Sequence, residues 1–473
     1  MIDQHVPDLL PRIVGDVHRP TYHYLPPRNW MNDPNGVIRW RGQYHLFYQY
    51  NPYGANWGNM HWGHAVSPDL IHWTDLPIAL APTPGGPDEA GCFSGCAVNN
   101  GLPTFLYTGV RGERFDVQTQ CMATSTDDLL TWTKHSQNPV LRDVPPESRQ
   151  TADFRDPFVW KEGNYWYMVV GSRVKNHGGI VYLYRSQFLT YWEYLNPLHQ
   201  GDGPETGMIW ECPNFFRLGE KWVLIISAHT GNETWRVLYF VGDYENHRFT
   251  PSSSGVLDYD RLYAPLSMLD DQQRRLLFGW IREARSDEEQ RQAGWSGVQS
   301  IPRVLTLDGQ HRLNMRPAPE LTHIRTTHHH FGSTEVTSDF LPLTGRALDI
   351  EAAFLVTAAG EYGIALACSP DGREKTEVRY DTATSTLRIL THSAKADGTV
   401  ITQERQAAHR LDIGEALELR ILLDGSVVEI IANQRTSITT RFYPSQHDSQ
   451  HIRIIQPTAL KTLDVWHMKS IWS

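Results

Sequence analysis

Three carboxylates in this 473-residue chain stand at matching points of a repeated unit. Asp33 lies in Trp30-Met31-Asn32-Asp33-Pro34-Asn35-Gly36, Asp156 in Phe154-Arg155-Asp156-Pro157, and Glu211 in Trp210-Glu211-Cys212-Pro213. A Pro follows each acid within two residues, and a Gly turn follows after 9, 7 and 8 residues. Past each turn comes an aromatic and branched run such as Tyr44-His45-Leu46-Phe47-Tyr48. An acid kept in three separate units implies an acid cluster where those units meet. Such a cluster suits glycoside cleavage, in which one carboxylic acid protonates the leaving oxygen and a second carboxylate meets the oxocarbenium-like carbon. In a retaining enzyme the second group attacks directly from about 5–5.5 Å away. Carboxylates that close push their pKa values apart, leaving one ionised and one protonated.

Sequence neighbours suggest a division of labour. Asp33, beside Asn32 and a tight polar turn, is expected to be an ionised nucleophile. Glu211 lies between Trp210 and Cys212, a setting expected to raise its pKa and suit a general acid/base. Asp156 adjoins Arg155, which should keep it ionised to grip hydroxyls and oppose developing positive charge.

The elements that must bring these acids together are legible as a period. Ser67…Leu70…Trp73, Ser125…Leu129…Trp132 and Ser186…Leu189…Trp192 share one pattern, with the Trp residues 59 and 60 positions apart. Asp33, Ser94, Asp156, Glu211 and Pro265 head five successive units, separated by 61, 62, 55 and 54 residues. Each unit holds short apolar runs broken by Gly, Pro, Asn or Asp, which read as strands and hairpins. Helical periodicity is nearly absent, and the polar stretch 286–293 reads as a loop or single turn. Five all-β units of fixed period predict an all-β, five-bladed propeller whose equivalent positions face one axis.

The pattern changes after residue 321. Residues 322–337, rich in His, Thr and Ser, read as a linker or crossover strand, with His328-His329-His330 as exposed polar residues. Alternating strands without the blade repeat follow over 338–473, including an Asp424-Gly425 hairpin signal, and imply a C-terminal β-sandwich. The expected organisation is an N-terminal extension over 1–20, a catalytic propeller over 21–321, the linker, and the sandwich as a stabilising module.

Composition excludes other classes. A net charge of −10 and the lack of a Lys/Arg-rich run exclude a nucleic-acid footprint. No apolar run approaches the roughly 18 residues a membrane span needs. Residues 1–8 carry no basic and apolar signal-peptide pattern, so the expectation is a cytoplasmic protein, or a secreted one if a signal has been removed. The scattered Cys92, Cys96, Cys121, Cys212 and Cys368 read as reduced thiols rather than a metal site. Arg111, Arg114 and Lys175, on loops near the expected pocket mouth, read as solvated charge.

At the acid motifs the chain resembles the β-fructofuranosidase family of glycoside hydrolases, which includes invertases, sucrose-6-phosphate hydrolases, exo-inulinases and levanases. The resemblance spans nearly the whole chain. It rests on residues 30–36, 47–52, 57–65, 93–95, 154–157, 210–213, 263–265 and 295–303. It implies a five-bladed propeller followed by a β-sandwich, and a retaining mechanism on terminal, non-reducing β-fructofuranosyl units. Asp33 would be the nucleophile, Glu211 the acid/base and Asp156 the transition-state stabiliser. Asn32, Gln49, Trp57, Phe93, Ser94, Arg155, Cys212, Tyr263 and Trp280 would line the fructose pocket. Cys96 departs from the family, many members having Ser there. The resemblance implies no metal and no organic cofactor. The expected partner is a fructoside, with no nucleic acid and no membrane, and homo-oligomerisation is left open. Fructosyl transfer, exo-acting inulinase or levanase activity and a sugar-binding propeller are the alternatives to sucrose hydrolysis.

Overall fold

A computed structural model describes all residues except 1–9, 150, 204, 230–234, 333–334, 337–339, 395–398 and 473. The first half of the expected N-terminal extension and parts of the expected linker therefore lie outside the described residues. The chain forms two compact units. One holds the described residues up to Val14 with Tyr24–Leu257 and Tyr263–Asn314; the other holds Gly15–His23, Asp258–Leu262 and the chain from Met315 onward. Among the described residues no helix is long and apolar enough to cross a membrane.

The first unit is a five-bladed β-propeller. Its blades begin at the strands Asn29–Trp40, Gly91–Asn99, Phe154–Glu162, Ile209–Leu218 and Leu262–Leu269, and the strands that follow in each blade pair outward in sequence order. In the first four blades these opening strands pack beside one another and are the innermost. Trp295–Ser296 pairs parallel with Asn29 and Trp30, lacing late chain to the first blade. Blades packed on both faces bury the second strand of the third blade, Tyr165–Val174, so that Trp166 through Ser172 are all buried and read as a nearly unbroken apolar run.

The Ser…Leu…Trp repeat is one turn used three times. A Ser hydroxyl accepts a backbone N–H at 3.0–3.2 Å (Asp69, Leu129, Leu189). Leu70, Leu129 and Leu189 sit at φ 71°, 68° and 66°, and each following Trp indole donates to that Leu carbonyl at 3.0–3.2 Å. The stretch expected as a loop or single turn is the short helix Asp287–Ala293. Ser286 and Glu289 cap it reciprocally and Gly294 ends it in the left-handed conformation.

The second unit is a β-sandwich. A six-stranded sheet runs Arg325–Gly332, Leu460–Met468, Ala347–Phe354, Leu417–Asp424, Val427–Ala432, Thr436–Arg441; a five-stranded one runs Val400–Ala408, Thr386–Ala394, Lys375–Asp381, Glu361–Cys368, His451–Ile455. Leu348, Ile350, Ile364, Val378, Leu419 and Ile430 fill the core between the sheets. Arg325–Gly332 falls within the stretch expected as linker and is an edge strand. His328 and His330 alternate onto one side, where their rings approach Asp464 Oδ1 at 2.8 and 2.9 Å. All five cysteines are free thiols, four buried and Cys212 half-buried.

Candidate active site

Each acid sits on a β-bulge. Pairing steps from Met31 to Pro34 against Tyr50 to Tyr48, from Arg155 to Phe158 against Gly171 to Val169, and from Glu211 to Asn214 against Ser227 to Ile225. One extra residue on the inner strand bends it and re-aims side chains toward the axis. Pro is admitted at these points because a bulge spares the ladder an N–H donor. Asp156 and Cys212 take φ values of 63° and 46°, a conformation that costs non-glycine residues on the order of 1–3 kcal/mol each and persists only under surrounding constraint. In the second blade Ser94 is the extra residue, and Gly95 replaces Pro because a Cβ there would lie 2.1 Å from the Leu106 carbonyl oxygen.

The bulges open onto a cavity of about 370 Å³. Asn32, Asp33, Gln49, Trp57, Phe93, Ser94, Arg155, Asp156, Glu211, Tyr263 and Trp280 all line it. Cys212 does not; it lies beneath, with its sulfur 3.6 Å from Asp33 Oδ2 and 3.5 Å from Asp156 Oδ2. Those two oxygens are thus no farther apart than the sum of the two distances. The sequence reading missed Met60, Phe115, Gln118, Asp153, His229 and Trp235 among the lining residues. Phe115 lies on a loop expected to shape the mouth and Met60 within the 57–65 motif; Gln118, Asp153, His229 and Trp235 carry no motif that would have marked them.

Asp33 Oδ2 accepts the Ser94 hydroxyl at 2.6 Å, and Oδ1 the Asn32 amide at 3.0 Å. Burial pushes its pKa up to about 6, against those two hydrogen bonds. Asp156 Oδ2 accepts the Cys212 backbone N–H at 2.9 Å. Burial raises it to about 7, partly countered by the Arg155 charge and reinforced by Glu211 and Asp33. Glu211 Oε1 accepts Arg155 Nε and Nη2 at 3.1 and 2.7 Å, while Oε2 accepts the Tyr263 hydroxyl at 2.6 Å and lies 3.5 Å from His229 Nε2. Burial would raise Glu211, but Arg155, His229 and Tyr263 hold it well below the usual carboxylate range.

This order corrects the expectation drawn from sequence neighbours. Arg155 spends its donors on Glu211, Asp153 and Gln118 rather than on the adjacent Asp156. Trp210 does not surround Glu211 with apolar material; its indole donates to the Thr206 carbonyl at 2.8 Å and its ring lies 5.8 Å from that of Phe240. Arg155 and Asp156 both line the cavity, but the Arg155 guanidinium reaches across to Glu211 on the next blade, so the charge facing an acid is not set by its sequence neighbour alone. With a pKa near 6, Asp33 is still mostly ionised at pH 7.

Around the acids, Trp57, Phe93 and Phe115 form a ring cluster, with centroids 5.3–6.1 Å apart, and Trp57 is 48% exposed. Opposite in character, Trp235 stacks on His229 at 5.1 Å and meets Tyr263 edge-on at 4.6 Å. Trp280 is 8% exposed, and its buried indole N–H has no hydrogen-bond partner among the described residues. A buried, aromatic-walled pocket with three coupled carboxylates can bind a sugar ring, protonate a leaving oxygen and oppose positive charge.

Residues 23–317 match the glycosyl hydrolases family 32 N-terminal domain, and residues 320–467 match the family 32 C terminal domain. The chain is 35% identical to a sucrose-6-phosphate hydrolase of Zymomonas mobilis, over 92% of this chain and 89% of that protein. It is 32% identical to a levanase of Bacillus subtilis, covering 96% of this chain and 71% of the levanase. The crystal structure of fructan 1-exohydrolase IIa from Cichorium intybus superposes with a TM-score of 0.83 at 26% identity, covering 97% of this chain and 98% of the other.

Proposed function

The chain belongs to glycosyl hydrolase family 32, and on that premise we propose that its pocket takes a terminal β-fructofuranosyl unit from the non-reducing end of a fructoside and cleaves it with retention. It is a glycoside hydrolase of the β-fructofuranosidase type. The observation that carries the mechanistic reading is the placing of Asp33, Asp156 and Glu211 on equivalent bulges around one pocket.

Asp33 acts as nucleophile, steadied by Ser94 and Asn32 as its charge moves into the new bond to the anomeric carbon. The glycosidic C–O bond breaks as the leaving oxygen takes the proton of Glu211. Glu211 then deprotonates a water that displaces Asp33 and restores the free acid. Asp156 opposes the positive charge on the ring and accepts sugar hydroxyls. Catalysis is assigned to the propeller domain, residues 21–321, with the sandwich as its stabilising partner.

The pocket suits an uncharged leaving group. Its one lining Lys or Arg, among the described residues, is Arg155, whose donors are engaged by Glu211, Asp153 and Gln118. Arg111 pairs with Glu89 at 3.2 Å and does not line the cavity. Sucrose and unphosphorylated fructans are therefore favoured over sucrose-6-phosphate. The test compares kcat/KM on sucrose, sucrose-6-phosphate, inulin and levan, with products separated by chromatography at high sucrose. Free fructose as main product and a higher kcat/KM for sucrose than for its phosphate are expected; fructo-oligosaccharides as the main product would move the assignment to fructosyl transfer. Asp33→Asn should lower kcat by about four orders of magnitude with an unchanged melting temperature. Turnover near that of the parent would overturn the assignment of the nucleophile.

A further inference from the structure

Glu211 has to take up a proton and give it away, yet it faces a guanidinium whose usual grip would prevent both. A planar guanidinium and a carboxylate ordinarily pair as two forks, each oxygen taking one N–H. Here both donors of one edge, Arg155 Nε and Nη2, fall on the single oxygen Glu211 Oε1, at 3.1 and 2.7 Å. A guanidinium cannot accept a hydrogen bond, so a proton on Oε1 would be set against two donors. Oε2 accepts the Tyr263 hydroxyl at 2.6 Å and lies 3.5 Å from His229 Nε2. A hydroxyl both donates and accepts, so Oε2 can be protonated while the Tyr263 contact persists.

The other end of the same guanidinium explains the one-sided grip. Arg155 Nη1 donates to Asp153 Oδ1 at 2.6 Å and to Gln118 Oε1 at 3.1 Å. Asp153 Oδ2 in turn lies 2.5 Å from Arg173 Nε. Charges thus alternate along Arg173, Asp153, Arg155 and Glu211, from a half-exposed side chain to a pocket one. The backbone that carries Asp153 and Arg155 is pinned from two sides. In its own blade the Ser172 hydroxyl donates to the Asp153 carbonyl at 2.5 Å. From the preceding blade, Gln118 Oε1 accepts the Phe154 N–H at 2.9 Å, Gln120 donates to the Phe154 carbonyl at 2.9 Å, and the Thr108 hydroxyl accepts the Asp156 N–H at 2.8 Å. Without Asp153, Nη1 would lose its charged acceptor, and the guanidinium could roll into the two-fork pairing that closes Oε2.

We propose that Asp153, itself oriented by Arg173, is a positioning residue for the acid/base: it holds Arg155 to one oxygen of Glu211 and so keeps Oε2 as the atom that delivers the proton. The inference rests on the assignment of Glu211 as acid/base. In the cleavage step the Oε2–H bond breaks, the proton passes to the leaving oxygen, and that oxygen keeps the electron pair of the glycosidic C–O bond. Arg155 then steadies the carboxylate that remains through Oε1, and Oε2 is free to take the next proton from water.

Leaving-group dependence in the full chain tests this. Sucrose and nitrophenyl β-fructofuranoside present the same fructosyl unit, but nitrophenolate departs without a proton, and kcat/KM covers the steps up to that departure. Asp153→Ala should lower kcat/KM on sucrose by about tenfold or more and on the aryl fructoside by less than about threefold, a selective loss of general-acid assistance. Asp153→Asn, which keeps one acceptor for Arg155, should fall between Asp153→Ala and the parent on sucrose. Should Asp153→Ala fail to fold, Asp153→Asn and Arg173→Met carry the same test, each with the same preference for the aryl substrate. Parent-like kcat/KM on sucrose in the folded variants, or an equal loss on both substrates, would overturn the positioning role. Glu211→Gln separates that failure from a failure of the assignment beneath it: it should show the same selectivity more strongly, and an equal loss on both substrates there would remove Glu211 as the acid and the inference with it.

Discussion

In the free pocket Glu211 holds a charge while Asp33 and Asp156, with pKa values raised to about 6 and about 7, take up protons first. Cleavage needs the opposite arrangement, one proton in the cluster and that proton on Glu211. Between pH 6 and 7 the three groups together hold one proton. Below, Asp33 gains a second and is lost as a nucleophile; above, the last proton leaves. The pH profile of kcat/KM, which reports free-enzyme ionisations, should therefore be a narrow bell with limbs near 6 and 7, belonging to the cluster rather than to single residues. Asp156→Asn should cost roughly 10²–10³-fold in kcat. In that variant the alkaline limb of the residual activity should move to lower pH, since the last proton no longer rests on Asp156. A limb left at its original position would assign that proton elsewhere. The identities of the acids were legible in the sequence, because each repeats within a motif. Their order of protonation was not: Arg155 adjoins Asp156 in sequence but reaches across to Glu211 on the next blade.

At the scale of elements, the acid and the Pro that follows it are a single device. A bulge re-aims the acid and admits a residue that cannot donate to the ladder. The recurrence of Asp-Pro and Glu-Cys-Pro was visible in the sequence; its meaning, one extra residue in each inner strand, depends on pairing with the second strand. The Ser…Leu…Trp repeat was visible likewise, and the structure supplies its reason in the indole bond that closes a left-handed Leu turn. In the third blade Trp192 is buried and donates to the Leu189 carbonyl at 3.0 Å. Trp192→Phe keeps most of the apolar burial but removes that donor, and should destabilise the protein by about 1–2 kcal/mol with kcat/KM nearly unchanged. Denaturant unfolding checks it, and an unchanged midpoint would mean the turn is held by packing alone. Arg325–Gly332, left open in the sequence as linker or crossover strand, and Val400–Ala408, which escaped the sequence reading, are polar edges of their sheets, where one-sided burial leaves no apolar alternation to read; Thr436–Arg441 and Leu460–Met468 escaped it as well.

At the scale of the whole molecule, the chain crosses between its two units early, and residues 15–23 are built into the second one. The sequence offers no local sign of this, because the partners lie some four hundred positions away. Asp424 accepts the backbone N–H groups of Thr21, Tyr22 and His23 at 2.7–2.8 Å. The His23 ring, wholly buried, contacts Asp424 Oδ2 at 2.9 Å and Glu429 Oε1 at 3.0 Å. Burial alone would lower the His23 pKa, but the two carboxylates raise it from 6.5 to about 9. A group whose folded pKa exceeds its unfolded value contributes stability that is complete below the unfolded pKa and disappears as pH rises through the folded one. The His23 contribution, on the order of 3 kcal/mol, should thus be present at pH 6 and lost between pH 6.5 and about 9. Denaturant unfolding at pH 6, 8 and 10 measures it. His23→Gln, which fits the site without a charge, should be destabilised at pH 6 and should lose this part of the pH dependence. A parent protein equally stable at pH 6 and 10 would mean that the site holds no extra proton on folding, and would overturn the raised His23 pKa.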